Sequence, residues 1–436
     1  MKKALAELKH GIVRHGLFSG SAVYLSSNVL AAAVPFALLP ILTRYLSTDE
    51  YGQVAIYQTI LAGLIALISV SAHGAAGVKY YESNFSKNEL KLFIGNCFLI
   101  IVTNSAVIFL IIFLFNEKLS RWLNLPGDWL YMGVFVSCAT CFILIRMTQW
   151  QVSKKAKNFG VFQISQSIMA TGMSLLLVVY FSQGAAGRMW SLTITPIVFL
   201  LISLILFYKD DLLSVVWRPK YIKEILNFGI PLIPHSVGFF LLSAVDRIII
   251  NDKLGIAQVG IYMVAVQLVA VMGLVFDAIN NAYVPWLFER LKRDQLDEKK
   301  QIVRWTYAYC LALMGFTLLV FVFSPALVII IVGDEYSPAA DLIGWLALGQ
   351  AFNGMYLMVT NYIFYSKRTG LLSLSTITTG LINVGLLFLF TDHMGLKGAA
   401  IAYAASMGLK FAATWFVANL RHPMPWFNFN RSSDQC

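Results

Sequence analysis

The chain has 436 residues, of which 58% are hydrophobic and only 13% are charged, whereas soluble domains carry about 25% charged residues. This composition excludes a soluble globular domain, and 31 phenylalanines and 14 methionines exclude an intrinsically disordered chain. The apolar residues fall in many separate runs of about 20 residues, each long enough as a helix to cross a bilayer, which also excludes a single membrane anchor. The sequence therefore predicts an all-α integral membrane protein.

Twelve apolar runs predict twelve transmembrane helices in two sets of six. The first set lies near residues 17–42, 53–72, 92–115, 129–150, 160–182 and 189–208. The second set lies near residues 227–250, 259–285, 305–332, 339–365, 370–390 and 398–420. The predicted organisation is a cytoplasmic N-terminal segment 1–16, a six-helix bundle 17–208, a cytoplasmic linker 209–226, a second six-helix bundle 227–420 and a cytoplasmic tail 421–436.

The distribution of positive charge predicts how the helices are oriented, because cytoplasmic loops retain lysine and arginine. With the N-terminus inside, 24 of the 33 lysines and arginines fall on cytoplasmic segments and six fall outside. The net charge of +11 therefore reflects membrane topology, and nucleic acid is not predicted as a partner. The N-terminus shows no cleavage site after its first apolar run and indicates no signal peptide. Four of the five cysteines lie in apolar runs and Cys436 is the last residue, so no disulfide is predicted.

The two halves share short motifs at nearly constant spacing, as in many transporters. LSTDEYG at 46–52 matches LGIAQVG at 254–260, KNFG at 157–160 matches KRTG at 367–370, and GAAG at 184–187 matches GLKG at 395–398. With six helices in each half, the repeats are predicted to be parallel.

The sequence contains no nucleotide-binding GxxxxGK[ST] or GxGxxG motif, no HExxH motif and no paired CxxC motif. Cofactors and metal ions are therefore not predicted, and Cys138 and Cys141 are interpreted as core residues. The longest outer connection, about residues 116–128, is too short for an external catalytic domain. The chain is accordingly predicted not to be an enzyme.

Proline and glycine interrupt the first helix of each half, and such interruptions point toward the substrate site of a transporter. The first helix carries Ser26, Ser27, Asn28, Pro35 and Pro40, and the seventh carries Gly229, Pro231, Pro234 and His235. These segments are predicted to line a wet cavity or to act as bends, with a simple packing kink as the alternative. Asn28 and His235 are candidate cavity residues, although a helix-entry role is the alternative for His235.

Charged residues inside the predicted spans are the sharper candidates, since a charge facing lipid costs about 2.5–3.5 kcal/mol. Lys410 lies near the middle of the last span, on the same helix face as Tyr403, Ser406 and Thr414. Arg146 lies near the cytoplasmic end of the fourth helix, where it lines the cavity or extends to the interface. Asp246 and Arg247 are adjacent and, on one continuous helix, need not pair with each other. They are candidates for a gate or for an anchor of the seventh helix.

Amide and carboxylate side chains add polar faces to several predicted helices. Asp277, Asn280 and Asn281 share a face of the eighth helix, which suits a cation, a proton or sugar hydroxyls. Further candidates are Gln163 and Gln166 on the fifth helix, Gln350, Asn353 and Asn361 on the tenth, and Asn383 on the eleventh. The alternative for all of them is hydrogen bonding between helices.

Two blocks of sequence resemble a known family. They are AVPFALLPILTRYLSTDEYGQVAIYQ at 33–58 and FGIPLIPHSVGFFLLSAVDRIIINDKLGIAQVGIY at 228–262, and both are similar to the polysaccharide-repeat flippases (O-antigen type, Wzx-like). That family belongs to the multidrug, oligosaccharidyl-lipid and polysaccharide exporter superfamily. The resemblance implies that Asp246, Arg247 and Gly260 match positions that relatives retain, and that Lys410 and Arg146 correspond in kind to the cations of their lumen.

The resemblance further implies a bacterial inner-membrane flippase with two six-helix bundles around a central cavity. The even number of helices and the charge distribution predict that both termini are cytoplasmic. Such a flippase would move undecaprenyl-diphosphate-linked oligosaccharide repeat units of O-antigen or a related surface polysaccharide, by alternating access. Its partners would be this lipid-linked substrate, membrane lipids, and a polysaccharide polymerase with chain-length machinery. The alternatives are a drug or cation antiporter of the same superfamily, a membrane glycosyltransferase, polymerase or ligase, and a peptidoglycan-precursor flippase, a family that usually has two more helices.

Overall fold

A computed structural model describes residues 24, 26–31, 33–82, 86–366 and 370–426. These residues form helices and short connections, with no β-strand among them. The predicted N-terminal segment 1–16, most of the predicted tail, Cys436 and the first three residues of the KRTG repeat lie outside the described residues.

The chain divides into two compact units. The first comprises the residues up to Leu46 together with Gln53–Ile233, and the second comprises Ser47–Gly52 and the residues from Pro234 onward. The first eight helices are α1 (Ser26–Tyr45), α2 (Thr48–Ser69), α3 (Ala72–Tyr80), α4 (Lys87–Leu123), α5 (Gly127–Val152), α6 (Ala156–Ser174), α7 (Gly184–Lys209) and α8 (Pro219–Gly229). The other six are α9 (Ile233–Ser243), α10 (Val245–Leu254), α11 (Ile256–Arg293), α12 (Leu296–Val332), α13 (Ala340–Tyr365) and α14 (Gly370–Arg421).

The helices confirm the predicted all-α membrane fold. Within the described residues, eleven helical segments are long and apolar enough to cross a bilayer. The last of them, in α14, is broken at Gly395, whose φ of 58° and ψ of −140° are not helical. Because the α14 segments on either side of Gly395 are each long enough to span a bilayer, the twelve predicted runs all have helical counterparts.

Several helices extend well beyond the hydrocarbon core. Helices α4 and α12 have 37 residues each and α11 has 38, which corresponds to about 56 Å against a core of about 30 Å. The outer connection expected at 116–128 is shorter than predicted, because α4 continues to Leu123 and α5 begins at Gly127. The residues after Phe115 include glutamate, lysine, leucine and arginine, which are good helix formers and extend α4 beyond its apolar run.

The predicted linker 209–226 contains part of an amphipathic helix. Helix α8 begins with Pro219 at its first position, where proline costs no hydrogen bond. Its residues Tyr221, Ile225 and Gly229 are buried at intervals of four, which places them on one face. The linker is therefore packed against the first unit.

The predicted irregularity of the seventh span is present. Ile230–Leu232 forms a 3-10 turn between α8 and α9, and Ala244 separates α9 from α10 with a φ of −141°. The first span differs, because residues 33–45 are helical across both Pro35 and Pro40.

Each unit has an apolar core of its own. In the first unit, Ile143, Trp150, Phe162 and Phe199 form a buried cluster. In the second unit, the C-terminal residues Met424 and Trp426 pack with residues of α11, α12, α13 and α14; the members include Leu287, Leu291, Ile302, Tyr362 and Ala418. Met424 and Trp426, which follow α14, are thus part of the second core.

The paired repeat motifs at 46–52 and 254–260 contact each other through their glycines. A Cβ atom on Gly52 would lie 2.0 Å from the carbonyl oxygen of Ile256, and one on Gly260 would lie 2.0 Å from the carbonyl oxygen of Thr48. Both contacts lie within the second unit. Only residues without a side chain allow α2 and α11 to approach this closely.

Candidate functional site

A buried polar cluster in the second unit is centred on Asp246. Its carboxylate lies 2.8 Å from Nη1 of Arg247 and accepts a hydrogen bond of 2.7 Å from the Tyr262 hydroxyl. Asp246 and Arg247 are only 4% and 7% exposed. The expectation that these two side chains need not pair was therefore wrong in its geometry.

The helix break explains why the adjacent charges meet. Because α10 begins at Val245, Asp246 lies in the first turn of a helix, where backbone N–H groups lack helical partners. Its carboxylate accepts the backbone N–H of Arg247 at 2.9 Å, while the Arg247 guanidinium reaches back to the Ser243 carbonyl. The negative charge is also favourable at this end of the helix.

A small cavity of about 100 Å³ adjoins this cluster. It is lined by Asp246, Arg247 and Tyr262, and by Gln350 of α13 and Tyr403 of α14. Gln350 donates a hydrogen bond of 3.0 Å to the Tyr403 hydroxyl, and its carbonyl oxygen is buried with no hydrogen-bond partner among the described residues. The cavity is polar and large enough for water, so it is a site at which a proton or a hydroxyl group can be bound.

Lys410 lies in the same unit and is buried, with 6% of its surface exposed. Its ammonium lies 3.9 Å from the centre of the Tyr356 ring, and no carboxylate of the described residues forms an ion pair with it. The hydroxyls of Ser406 and Thr414 are buried and have no hydrogen-bond partner in the described part of the chain. Since residues four apart share a helix face, these groups form one buried polar face of α14.

Arg146 has a structural partner in the first unit. It is 2% exposed, forms an ion pair with Asp210, and its guanidinium carbon lies 4.5 Å from the ring centre of Trp150 and 5.0 Å from that of Phe207. These contacts favour a role in connecting α5 with the end of α7. Binding of substrate by Arg146 stays a prediction.

This ion pair makes a testable difference to stability. We expect Asp210→Asn to lower the free energy of unfolding by about 2 kcal/mol, because it leaves the buried Arg146 charge without its partner. Lys209→Gln, which changes the exposed neighbouring residue, is the matched control. Thermal unfolding of the detergent-solubilised protein measures both, and equal midpoints for the two variants would contradict a stabilising pair.

The amides on the second unit's helices are mostly engaged. Asn361 donates a hydrogen bond of 2.8 Å to Asn280, and Asn383 donates one of 2.8 Å to the carbonyl of Leu241. Each of these bonds joins two different helices, and hydrogen bonding between helices is the alternative role given above for these amides. The other candidates are half-buried or exposed: Gln163, Gln166 and Asn353 are half-buried, and Asn28, His235, Asp277 and Asn281 are exposed.

A charged cluster in the first unit was not predicted from the sequence. Lys79 lies 2.8 Å from Glu82 and also pairs with Glu224, and its ammonium lies 5.4 Å from the ring centre of Phe93. Burial lowers the pKa of Lys79, but the hydrogen bonds and charges of Glu224 and Glu82 outweigh it and raise the pKa above its ordinary value. Glu224 is 145 residues away in sequence, and only the amphipathic pattern of α8 indicated that this segment packs against the unit. No group of three potential metal ligands occurs among the described residues.

Comparison with known proteins gives consistent results. The model of the family described as "Polysaccharide biosynthesis protein" matches residues 17–291. Lsg locus putative protein 1 of Haemophilus influenzae is 25% identical over 380 residues, which is 86% of this chain and 91% of that protein. The probable low-salt glycan biosynthesis flippase Agl15 of Haloferax volcanii is 21% identical over 88% of this chain and 79% of its own length.

Solved structures share the fold at low sequence identity. The lipid II flippase MurJ, in an inward closed conformation, has a TM-score of 0.74 at 12% identity, covering 92% of this chain and 87% of its own. An inward-facing multidrug resistance transporter of the MATE family and MOP superfamily has a TM-score of 0.70 at 12% identity, covering 92% and 97%. Both likenesses show the fold of this chain.

Proposed function

The chain belongs to the polysaccharide biosynthesis protein family, whose model covers more than half of it, and we propose that it is a flippase for a lipid-diphosphate-linked oligosaccharide. The substrate of this proposal is an undecaprenyl-diphosphate-linked repeat unit of O-antigen or a related surface polysaccharide. The protein would reside in a bacterial inner membrane with both termini cytoplasmic and would supply a polysaccharide polymerase and chain-length machinery.

The observation that carries this proposal is the buried charge of Lys410. A buried ammonium without a counter-ion is unfavourable, and an anion that reaches it during function relieves this cost. The diphosphate of the substrate is such an anion. The unpartnered hydroxyls of Ser406 and Thr414 on the same face provide hydrogen-bond donors for its oxygens.

The polar cluster around Asp246 supports binding of the sugars. Tyr403 and Gln350 line its cavity, and amide and hydroxyl groups suit sugar hydroxyls because each can donate and accept. An inside-negative membrane potential would favour outward movement of the anionic headgroup by about 2.3 kcal/mol per charge per 100 mV.

The MATE-like fold makes a drug antiporter the second candidate. Binding of a cationic drug calls for a buried carboxylate free of a counter-ion. Among the described residues of the second unit, the buried carboxylate of Asp246 is already paired with Arg247, and the buried charge without an ion pair is that of Lys410. These charges favour an anionic substrate.

Lys410→Gln tests the proposal directly. We expect it to reduce outward transfer of the lipid-linked repeat unit by at least about tenfold, because one charge-assisted contact with the diphosphate is lost. Lys410→Arg is expected to retain most of the transfer. The measurement is the sidedness of the lipid-linked repeat unit and the amount of surface polysaccharide in a deletion strain carrying each variant.

Lys397→Gln is the matched control, since Lys397 is an exposed residue of the same helix. Normal surface polysaccharide with Lys410→Gln would contradict the role of this lysine. Normal polysaccharide and increased drug sensitivity in the deletion strain itself would overturn the flippase and favour the antiporter.

A further inference from the structure

A second, larger pocket lies in the second unit, outside the polar cluster and the Lys410 face. Its volume is about 490 Å³, which is within the range of small-molecule sites. Its wall includes Tyr283, Trp286 and Arg290 of α11, Trp305 and Tyr309 of α12 and Met358 of α13. We call it the Arg290 pocket.

Arg290 is the charged group of this pocket. Its guanidinium carbon lies 4.0 Å from the ring centre of Trp286, and no carboxylate in the described ranges pairs with it. Its Nε atom is buried without a hydrogen-bond partner among the described residues. The nearby Arg293, by contrast, pairs with both Glu289 and Glu298. Stacking on a ring leaves the edge of a guanidinium free to bind a phosphate through two hydrogen bonds.

The pocket opens toward apolar surface. Trp305 at its edge is 61% exposed. Phe316, Leu319 and Phe323 follow it on α12 at helical spacing and are also exposed, by 48%, 54% and 56%. In a helix that spans the bilayer, such a row of side chains faces lipid. A molecule in the pocket can therefore have its polar end at Arg290 and a hydrocarbon chain along this row.

The position along the helices fits the level of lipid headgroups. Arg290 lies in the last turn of α11, together with Lys292 and Arg293, where the sequence predicts the cytoplasmic boundary. Tryptophan and tyrosine concentrate at this boundary, and basic pockets between helices on this side bind anionic headgroups.

We propose that the Arg290 pocket binds an anionic glycerophospholipid, with the phosphodiester at the Arg290 guanidinium and an acyl chain along the exposed row of α12. One unpaired cation matches the single negative charge of a phosphodiester. Besides Arg290, the polar groups of the wall are Gln301, Thr306 and the tyrosine and tryptophan heteroatoms, and a lipid carrying several sugars needs more hydroxyl-binding groups than these. This assignment is independent of the flippase proposal.

The test is native mass spectrometry of the delipidated full-length protein in detergent. Dioleoylphosphatidylglycerol is the probe, and dioleoylphosphatidylcholine, undecaprenyl phosphate and glycerol phosphate are the comparisons. We expect phosphatidylglycerol to bind the unmodified protein most tightly and Arg290→Gln to weaken that binding about tenfold. Lys292→Gln removes a charge from the exposed side chain two residues away and is expected to change it less than about twofold.

Trp305→Ala provides a second variant at an exposed position and is expected to weaken binding about threefold. If Arg290→Gln does not elute as a folded protein, the lipid binding measured for Trp305→Ala tests the pocket instead. Equal weakening by Arg290→Gln and Lys292→Gln, or unchanged binding in both Arg290→Gln and Trp305→Ala, would overturn the site. Tighter Arg290-dependent binding of undecaprenyl phosphate would overturn its assignment to a glycerophospholipid, as would equal binding of glycerol phosphate.

Discussion

Gly260→Ala is expected to leave little folded protein. The added Cβ atom would lie 2.0 Å from the carbonyl oxygen of Thr48 and 3.1 Å from the backbone nitrogen of Gly52. Backbone atoms of two packed helices cannot move aside as a side chain can, so the helices must separate along their contact. Overpacking of this kind costs about 1–3 kcal/mol and occasionally more. The folded fraction and the thermal midpoint, measured by size-exclusion chromatography in detergent, check this expectation.

Gly315→Ala is the matched control. A Cβ atom on Gly315 would meet no heavy atom within 4 Å, and alanine is the better helix former by about 1 kcal/mol. Gly52→Ala is expected to act like Gly260→Ala, and the double variant should cost less than the sum of the two because both open one interface. Equal thermal midpoints for Gly260→Ala and Gly315→Ala would contradict the close approach of α2 and α11.

Asp246→Asn is expected to lower the free energy of unfolding by about 3–5 kcal/mol. The substitution leaves the Arg247 charge buried without its carboxylate partner, and arginine cannot lose its proton to relieve the cost. Tyr262 also exchanges a charged acceptor for a neutral one. Thermal and denaturant unfolding of the purified protein measures the loss.

A double-mutant cycle separates the pair from the packing around it. Asp246→Asn combined with Arg247→Gln is expected to recover part of the stability lost in Asp246→Asn alone, since the uncompensated charge disappears. Asp277→Asn, at an exposed residue, serves as the control for loss of one negative charge. Additive effects of the Asp246 and Arg247 substitutions would show that the two charges do not stabilise each other.

Hydropathy predicted the number and order of the helices because the bilayer imposes it. Every backbone polar group in the hydrocarbon must form its hydrogen bond within its own segment, so an apolar run of about 20 residues forms a helix. The sequence also placed Lys410, Ser406 and Thr414 on a common face, since that placement depends only on helical periodicity. Helix ends were less predictable: residues 116–123 include the charged Glu117, Lys118 and Arg121, yet they continue α4.

The partners of the charged residues could not be predicted. Arg146 pairs with Asp210, 64 residues away, and nothing local in the sequence connects them. The pairing of Asp246 with Arg247 depends on a break at Ala244, a residue type that favours helix and gives no signal of one. The glycines at 52 and 260 were noted as parts of a repeat, but only the packing shows that the two copies contact each other.

The two-residue connection between α11 and α12 has a mechanical consequence. Ion pairs of Arg293 with Glu298 and of Lys299 with Asp294 secure this turn, at the tip of two continuous helices of 38 and 37 residues. The part of α12 before its internal Pro325 is a rod about 43 Å long, so a tilt of about five degrees at one end displaces the other by about 4 Å. A small rotation deep in the bilayer would thus move the turn between α11 and α12 by a distance that a label attached to a residue of the turn can measure.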